Sequence, residues 1–180
     1  MGSTPLHKVC QPVNGRPAIV RLIDTLRSDG VDPIVVVVGH RAGDVVETVG
    51  AVHTGVHFVY QRDRLGTGHA ARIGVEALRR FGHDGRVLVT MGDKWLAPGV
   101  IPRLDERFTD SGADLLAVST RKRDESSAGR FVELPGKGVV GIVELRDIQR
   151  SRILSDWLDM AADRTSLTKA ALRQAGLKYI

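Results

Sequence analysis

Ile34-Val35-Val36-Val37-Val38 places five β-branched residues in a row, none of them polar. A run like this has no face to turn to water, so it fits a strand covered on both sides, as in parallel sheets whose crossover helices lie on both faces. The flanking sequence supplies such helices. Pro17 reads as a first helical residue before Ala18-Ile19-Val20-Arg21-Leu22-Ile23-Asp24-Thr25-Leu26, whose apolar positions recur at helical spacing until Gly30. A short helix is expected around Asp44–Val52. Val56–Tyr60 alternates as a strand, and Thr67 to about Phe81 reads as a helix closed by Gly82. Arg86–Met91 and Ala113–Ser119 read as further apolar strands, with a proline-entered helix, Pro98–Thr109, between them. The repetition predicts an α/β fold with a doubly wound, mostly parallel sheet. Beyond residue 120 the pattern changes. Phe131–Leu134 and Val139–Glu144 predict a hairpin through Pro135-Gly136-Lys137-Gly138, and Asp147–Ala161 and Ser166–Ala175 predict two closing helices.

Two segments of this framework carry chemistry. Tyr60-Gln61-Arg62-Asp63-Arg64-Leu65-Gly66-Thr67-Gly68-His69-Ala70 runs a strand through a glycine-hinged turn into a helix, and Val89-Thr90-Met91-Gly92-Asp93 ends a strand on a lone carboxylate. Small residues let backbone N–H groups approach a base or a phosphate closely, and a strand-end Asp can bridge a divalent cation to phosphate oxygens. The pair of segments implies a nucleotide-handling protein. Taken singly, each residue has a plainer reading: Gly66 and Gly68 as a tight turn, Gln61 as a loop residue, Asp93 as a cap or turn former, Lys8 as a surface lysine. His40 and His69 flank the segments, but no third ligand stands at recognisable spacing, so a histidine metal site is not expected. His69 is expected to pack in the first turn of its helix.

Composition removes other classes. The 180 residues are 42% hydrophobic but only 4% aromatic, so aliphatic side chains must supply the core. No stretch approaches the roughly 18 apolar residues of a membrane span, and no apolar signal core stands at the N-terminus, so a cytoplasmic protein without a membrane partner is expected. Cys10 is the single cysteine, which excludes an intrachain disulfide and suits a small apolar filler. The net charge of +5 is spread along the chain, and Arg121-Lys122-Arg123 is followed at once by Asp124-Glu125. With two Tyr, four Phe and two Trp scattered through the chain, there is neither a phosphate-tracking stripe nor a stacking platform, and nucleic acid is not an expected partner.

Lys8-Val9 within Leu6–Pro17, Gly39-His40, Gln61 with Leu65–Ala70, Gly92-Asp93, Gly129-Arg130 and Gly141-Ile142-Val143-Glu144 stand in one order along residues 1–148. In that order the chain resembles the sugar-1-phosphate nucleotidyltransferases, above all the uridylyltransferase domain of bacterial N-acetylglucosamine-1-phosphate uridylyltransferases. The resemblance implies a Rossmann-like sheet with helices on both faces over residues 1–148, followed by a helical segment over 149–180. It implies nucleotidyl transfer from a nucleoside triphosphate, UTP above others, to a sugar 1-phosphate. The phosphate oxygen attacks the α-phosphate in line, pyrophosphate leaves, and Mg²⁺ with cationic side chains offsets the charge. It assigns Gln61, Gly66 and Thr67 to the base, Gly92 to the ribose, Asp93 to Mg²⁺, Lys8 to the triphosphate, and Gly129 and Glu144 to the sugar. Lys94 and Trp95 depart from the family pattern, which leaves the sugar open. Two other readings share these features: a non-catalytic nucleotide-sugar-binding module, and a cofactor-guanylylating (MobA-like) or cytidylyltransferase relative. A homo-oligomer is compatible with all of them.

The resemblance also implies departures at both ends. Family members begin with a strand and a glycine-rich loop ahead of the position of Met1, so the chain is expected to start at an internal methionine. The implied strand would lie between Val35–Val38 and Leu88–Met91, leaving a gap of roughly 10 Å, about twice the interstrand spacing. After Glu144 the family continues to a second metal-binding residue, which residues 147–180 do not supply. These 180 residues alone are therefore expected to turn over weakly or not at all.

Overall fold

The computed structural model describes residues 6–63, 65–119, 129–134 and 138–143. They fall into two units, divided between Leu115 and Leu116. The first unit opens with a 3-10 turn, Lys8–Cys10, and a minimal hairpin of β1 (Pro12–Val13) and β2 (Arg16–Pro17). Asn14 and Gly15 turn that hairpin with φ of 49° and 77°, the two left-handed residues that a two-residue type I′ connection requires. Arg21 of α1 (Ala18–Ser28) fastens it, donating from Nε to Val13 O at 2.9 Å and from Nη2 to Asn14 O at 2.7 Å. Pro17 thus stands just outside the helix as its N-cap, and the helix starts one residue later than expected.

Strand β3 (Ile34–Val38) pairs in parallel with β4 (Val56–Tyr60), in a register from Ile34↔Val56 to Val38↔Tyr60. The crossover between them is α2 (Ala42–Gly50). Period-2 geometry divides the valine run between two faces. Ile34 and Val38 are buried in a core with Ile19, Val20, Leu22, Ile23 and Leu26 of α1 and Val45 and Val49 of α2, and Val36 packs against it. On the other face α3 (Thr67–Arg80) lies close. A Cβ built on Gly74 would come 3.2 Å from Val37 Cγ2, so glycine permits the approach. Val9 and Cys10 of the 3-10 turn join the same core, Cys10 as the buried filler expected.

The last helix of the unit, α4 (Val100–Ser111), has no capping side chain of its own. Asp29, at the C-terminal end of α1, takes that role across the sequence: Gly99 N donates to both its oxygens at 3.1 Å and Ile101 N to Oδ2 at 3.4 Å. Ile101 then seats α4 in the core.

The α/β class is as expected, but the extended parallel sheet is not. Among the described residues, β3 and β4 are the one parallel pair, and Arg86–Met91 and Ala113–Ser119 are not strands. Val87, Leu88, Val89 and Met91 are exposed, as are Leu115, Leu116 and Val118. An apolar β-branched run becomes a strand only when a neighbour takes its amides and carbonyls, and no described segment does so for these two. The helix expected at Pro98–Thr109 forms two residues later, after Gly99 with φ of 75°, and the one expected at Asp44–Val52 forms as α2, two residues earlier.

In the second unit β5 (Arg130–Leu134) and β6 (Gly138–Val143) form the expected antiparallel pair, from Arg130↔Val143 to Leu134↔Gly138, with a shift of register between Val132 and Glu133. Glu144, the Arg121-Lys122-Arg123 run and the two helices expected beyond residue 146 lie outside the described residues.

Candidate nucleotide site

The carboxyl edge of the β3–β4 pair is where an α/β unit presents its loops to a ligand. Gln61 follows β4 directly, and its N–H donates to Val38 O at 2.7 Å, extending the ladder by one step. The Gln61 side chain is fixed from within. Its Nε2 lies 3.3 Å from Gly66 O and 3.0 Å from His69 Nδ1. A backbone carbonyl can only accept, so the amide must turn its NH₂ to Gly66, which makes His69 Nδ1 the second acceptor and puts the imidazole proton on Nε2. The amide oxygen is left as the group Gln61 can offer outward.

Gly66 has φ of 99° and precedes α3, whose first residue is Thr67 and which has no capping side chain. The first amides of α3 lack intrahelical acceptors and stand where a base carbonyl or a phosphate could accept from them. Gln61, Gly66 and Thr67 are thus brought together, and His69 joins them. The sequence reading gave His69 only a packing role. The glycine-hinged turn that brings position 69 back over Gln61 was legible, but the hydrogen bond was not.

On the Gly92 side of the site, the turn after Met91 packs on the core. A Cβ on Gly92 would meet Ile19 Cδ1 at 3.3 Å and Val9 Cγ1 at 3.6 Å. Because Val9 is the neighbour of Lys8, this packing carries Asp93 to Lys8, and Lys8 Nζ lies 2.8 Å from Asp93 Oδ2 across 85 positions of sequence. The Lys8 hydrogen bond holds the Asp93 carboxyl below its ordinary range; partial burial opposes this, and the charges of Lys8 and Lys94 reinforce it. Asp93 is therefore an anion at neutral pH, with a cation already against it.

Among the described residues no three His, Cys, Asp or Glu side chains cluster as a metal site. A lone carboxylate does suit Mg²⁺ that arrives on phosphate, since that ion is held through one or two carboxylates plus substrate oxygens rather than by an all-protein cage. Among the described residues the donor set fits a divalent cation that arrives together with phosphate oxygens.

Gly129 lies just ahead of β5 in the second unit and is exposed; Glu144, just past β6, is outside the described residues. Trp95 is exposed and uninvolved in the Lys8–Asp93 contact. No helix among the described residues is long and apolar enough to cross a membrane.

A parallel β-pair with a helical crossover, followed by a strand–turn–helix with a positive-φ glycine, defines an α/β domain with a candidate nucleotide site. Residues 1–174 match the MobA-like NTP transferase domain, and the chain belongs to that family of nucleotidyltransferases. It is similar to the bifunctional protein GlmU of Exiguobacterium sibiricum, at 33% identity over 150 residues, which are 83% of this chain and 32% of that protein. The GlmU of Symbiobacterium thermophilum is 31% identical over 173 residues, 94% of this chain and 36% of that protein. That of Cellvibrio japonicus is 35% identical over 143 residues, 79% of this chain and 30% of that protein. The chain spans about a third of the length of these curated relatives.

Proposed function

We propose that the domain to which this chain belongs transfers a uridylyl group from UTP to a sugar 1-phosphate, with release of pyrophosphate, and that N-acetylglucosamine 1-phosphate is the first acceptor to test. The observation that carries the reading is the Lys8–Asp93 pair at 2.8 Å. It would set an ammonium for phosphate oxygens beside a carboxylate for the ion that accompanies them, while Gln61 and Gly66, at the end of β4, would meet the base. Bound there, Mg²⁺ would neutralise triphosphate charge and polarise the transferring phosphorus.

The rest falls to the chain's own groups. Lys8 would exchange Asp93 for a phosphate oxygen as the triphosphate enters, and the first amides of α3 would donate to the base. The Gln61 amide oxygen accepts, so it suits a base with an imino N–H. Uracil and guanine have one; cytosine and adenine could reach the same oxygen only through their exocyclic N4 and N6 amines, since cytosine N3 and adenine N1 are acceptors. The similarity to GlmU favours uracil, while the MobA-like description of the family keeps guanine as the second reading. Gly129 and Glu144 remain the proposed sugar contacts. The cytoplasm is the proposed compartment.

Binding isothermal titrations with UTP, GTP and CTP in Mg²⁺ test the base, and pyrophosphate release with N-acetylglucosamine 1-phosphate tests the transfer. UTP is expected to bind most tightly, with Asp93→Asn removing the dependence on Mg²⁺. Tightest binding of GTP would replace the reading with the guanylyl one, and equal binding of all three would end the base assignment.

A further inference from the structure

We propose that Asp44 is a positioning residue: by holding the His7 amide it aims Lys8 at the triphosphate and gives Lys8 and Gln61 a common frame. The inference rests on the nucleotide reading of the site above.

Lys8 stands in a turn of only three residues, too short to hold a direction unaided. Three things fix it. Val9 and Cys10 are buried beneath it. His7 closes the turn on itself, its carbonyl accepting from Cys10 N at 2.8 Å and its Nδ1 from Val9 N at 3.4 Å. The third is remote in sequence: His7 N donates to Asp44 Oδ2 at 2.9 Å. The Arg41 Nε stands 2.7 Å from the same oxygen, with both side chains about three-quarters buried.

Asp44 occupies the first turn of α2, where a carboxylate ordinarily serves its own helix by accepting from the exposed amides or opposing the dipole. Here its carboxylate meets the main chain next to Lys8 and the guanidinium of Arg41. Arg41 is itself held with φ of 56°, a left-handed conformation that a non-glycine residue adopts only when its surroundings fix it. The reward for that geometry is a carboxylate clamped from two sides.

The clamp also connects the two halves of the site. From Asp44 the chain runs back through Arg41, His40 and Gly39 to Val38, whose carbonyl accepts from Gln61 N at 2.7 Å. At Gly39 a Cβ would meet Gln61 O at 3.6 Å, so this link lies directly against the base-reading residue. Lys8 is thus referenced to the same strand end as Gln61. Catalytic groups lose much of their effect when displaced by about 1 Å, so a tether that fixes the distance from phosphate to base serves the reaction and not merely the fold.

The test compares Asp44→Ala, which removes the acceptor, with Asp44→Asn, which keeps an oxygen for His7 N but loses the charge. Affinities for UTP with Mg²⁺ and for uridine are measured in each variant and in the Lys8→Met background. Asp44→Ala is expected to weaken UTP about tenfold or more, leave uridine unchanged, and add nothing once Lys8 is Met; Asp44→Asn should recover most of the loss. Equal loss of UTP and uridine, or a full additional loss in Lys8→Met, would overturn the proposal. The ¹⁵N resonance of the Lys8 ammonium gives a readout that needs no nucleotide. It should shift in Asp44→Ala toward its position in Asp93→Asn and stay near wild type in Asp44→Asn. If the native protein binds no UTP, the nucleotide reading fails on its own, while an unmoved ammonium resonance sinks the positioning role.

Discussion

Replacing Lys8 by Met separates a residue kept for stability from one kept for binding, because the two roles carry different magnitudes here. The Lys8 and Asp93 side chains are 67% and 34% exposed. A pair so open to solvent is screened, and its loss should cost the folded state only about 0.2–1 kcal/mol. For a domain of this size that moves Tm by no more than about 4 °C. Met keeps the stem of the side chain, so packing is nearly conserved. Against a triphosphate the same ammonium makes a charge-assisted hydrogen bond worth about 1.5–3 kcal/mol, and its loss should weaken UTP by roughly 10- to 150-fold. Uridine, which has no phosphate, should bind as before. Thermal unfolding and calorimetric titration of UTP and uridine in Mg²⁺ provide the measurements. A large fall in Tm with UTP affinity unchanged would refute the reasoning, since it would make the pair a structural tie with no ligand to meet.

Gln61→Glu replaces the NH₂ facing Gly66 O by an oxygen, and should weaken UTP by about tenfold or more; undiminished titration of UTP would remove Gln61 from the base site. Ile23, only 1% exposed in the centre of the α1 face, should lose about 2–5 kcal/mol on substitution by Ala, read by urea unfolding. A loss under about 1 kcal/mol would mean that the α1 face is not the core it is taken to be. The Asp44 carboxyl is held below its ordinary value of 3.8, chiefly by the His7 N–H and further by Arg41, with burial opposing. A carboxyl depressed in the folded state stabilises above its unfolded pKa and loses that contribution as pH falls through the folded one. The side-chain carboxyl ¹³C resonance of Asp44 should therefore hold down to about pH 4 and titrate only below it; a midpoint above that would contradict the tether.

Local pattern went far where partners were local or strongly implied. The valine run of β3, the alternation of β4 and the glycine-hinged start of α3 formed close to their expected bounds. The β1–β2 hairpin escaped notice although Asn14-Gly15 is a strong turn signal, because the flanking strands are only two residues long. Arg86–Met91 and Ala113–Ser119 show the opposite failure. Their residues have strand character, but strand formation depends on a neighbour that composition cannot reveal. In the candidate site, Lys8, Gln61, Gly66 and Asp93 were singled out by their order along a family pattern. Their linkage was not legible: His69 reaches Gln61 and Asp44 reaches His7 through contacts that depend on three-dimensional packing.

The Asp29 carboxylate bears on the order in which the molecule assembles. A helix that borrows its start from a residue 70 positions away gains that support only once the residue is in place, and nucleation is the costly step for any helix. The segment after Gly99 should thus acquire protection from hydrogen exchange later than α1 during refolding, and Asp29→Ala should delay it further without slowing α1. Simultaneous protection of both helices in the native sequence would show that α4 finds its own beginning.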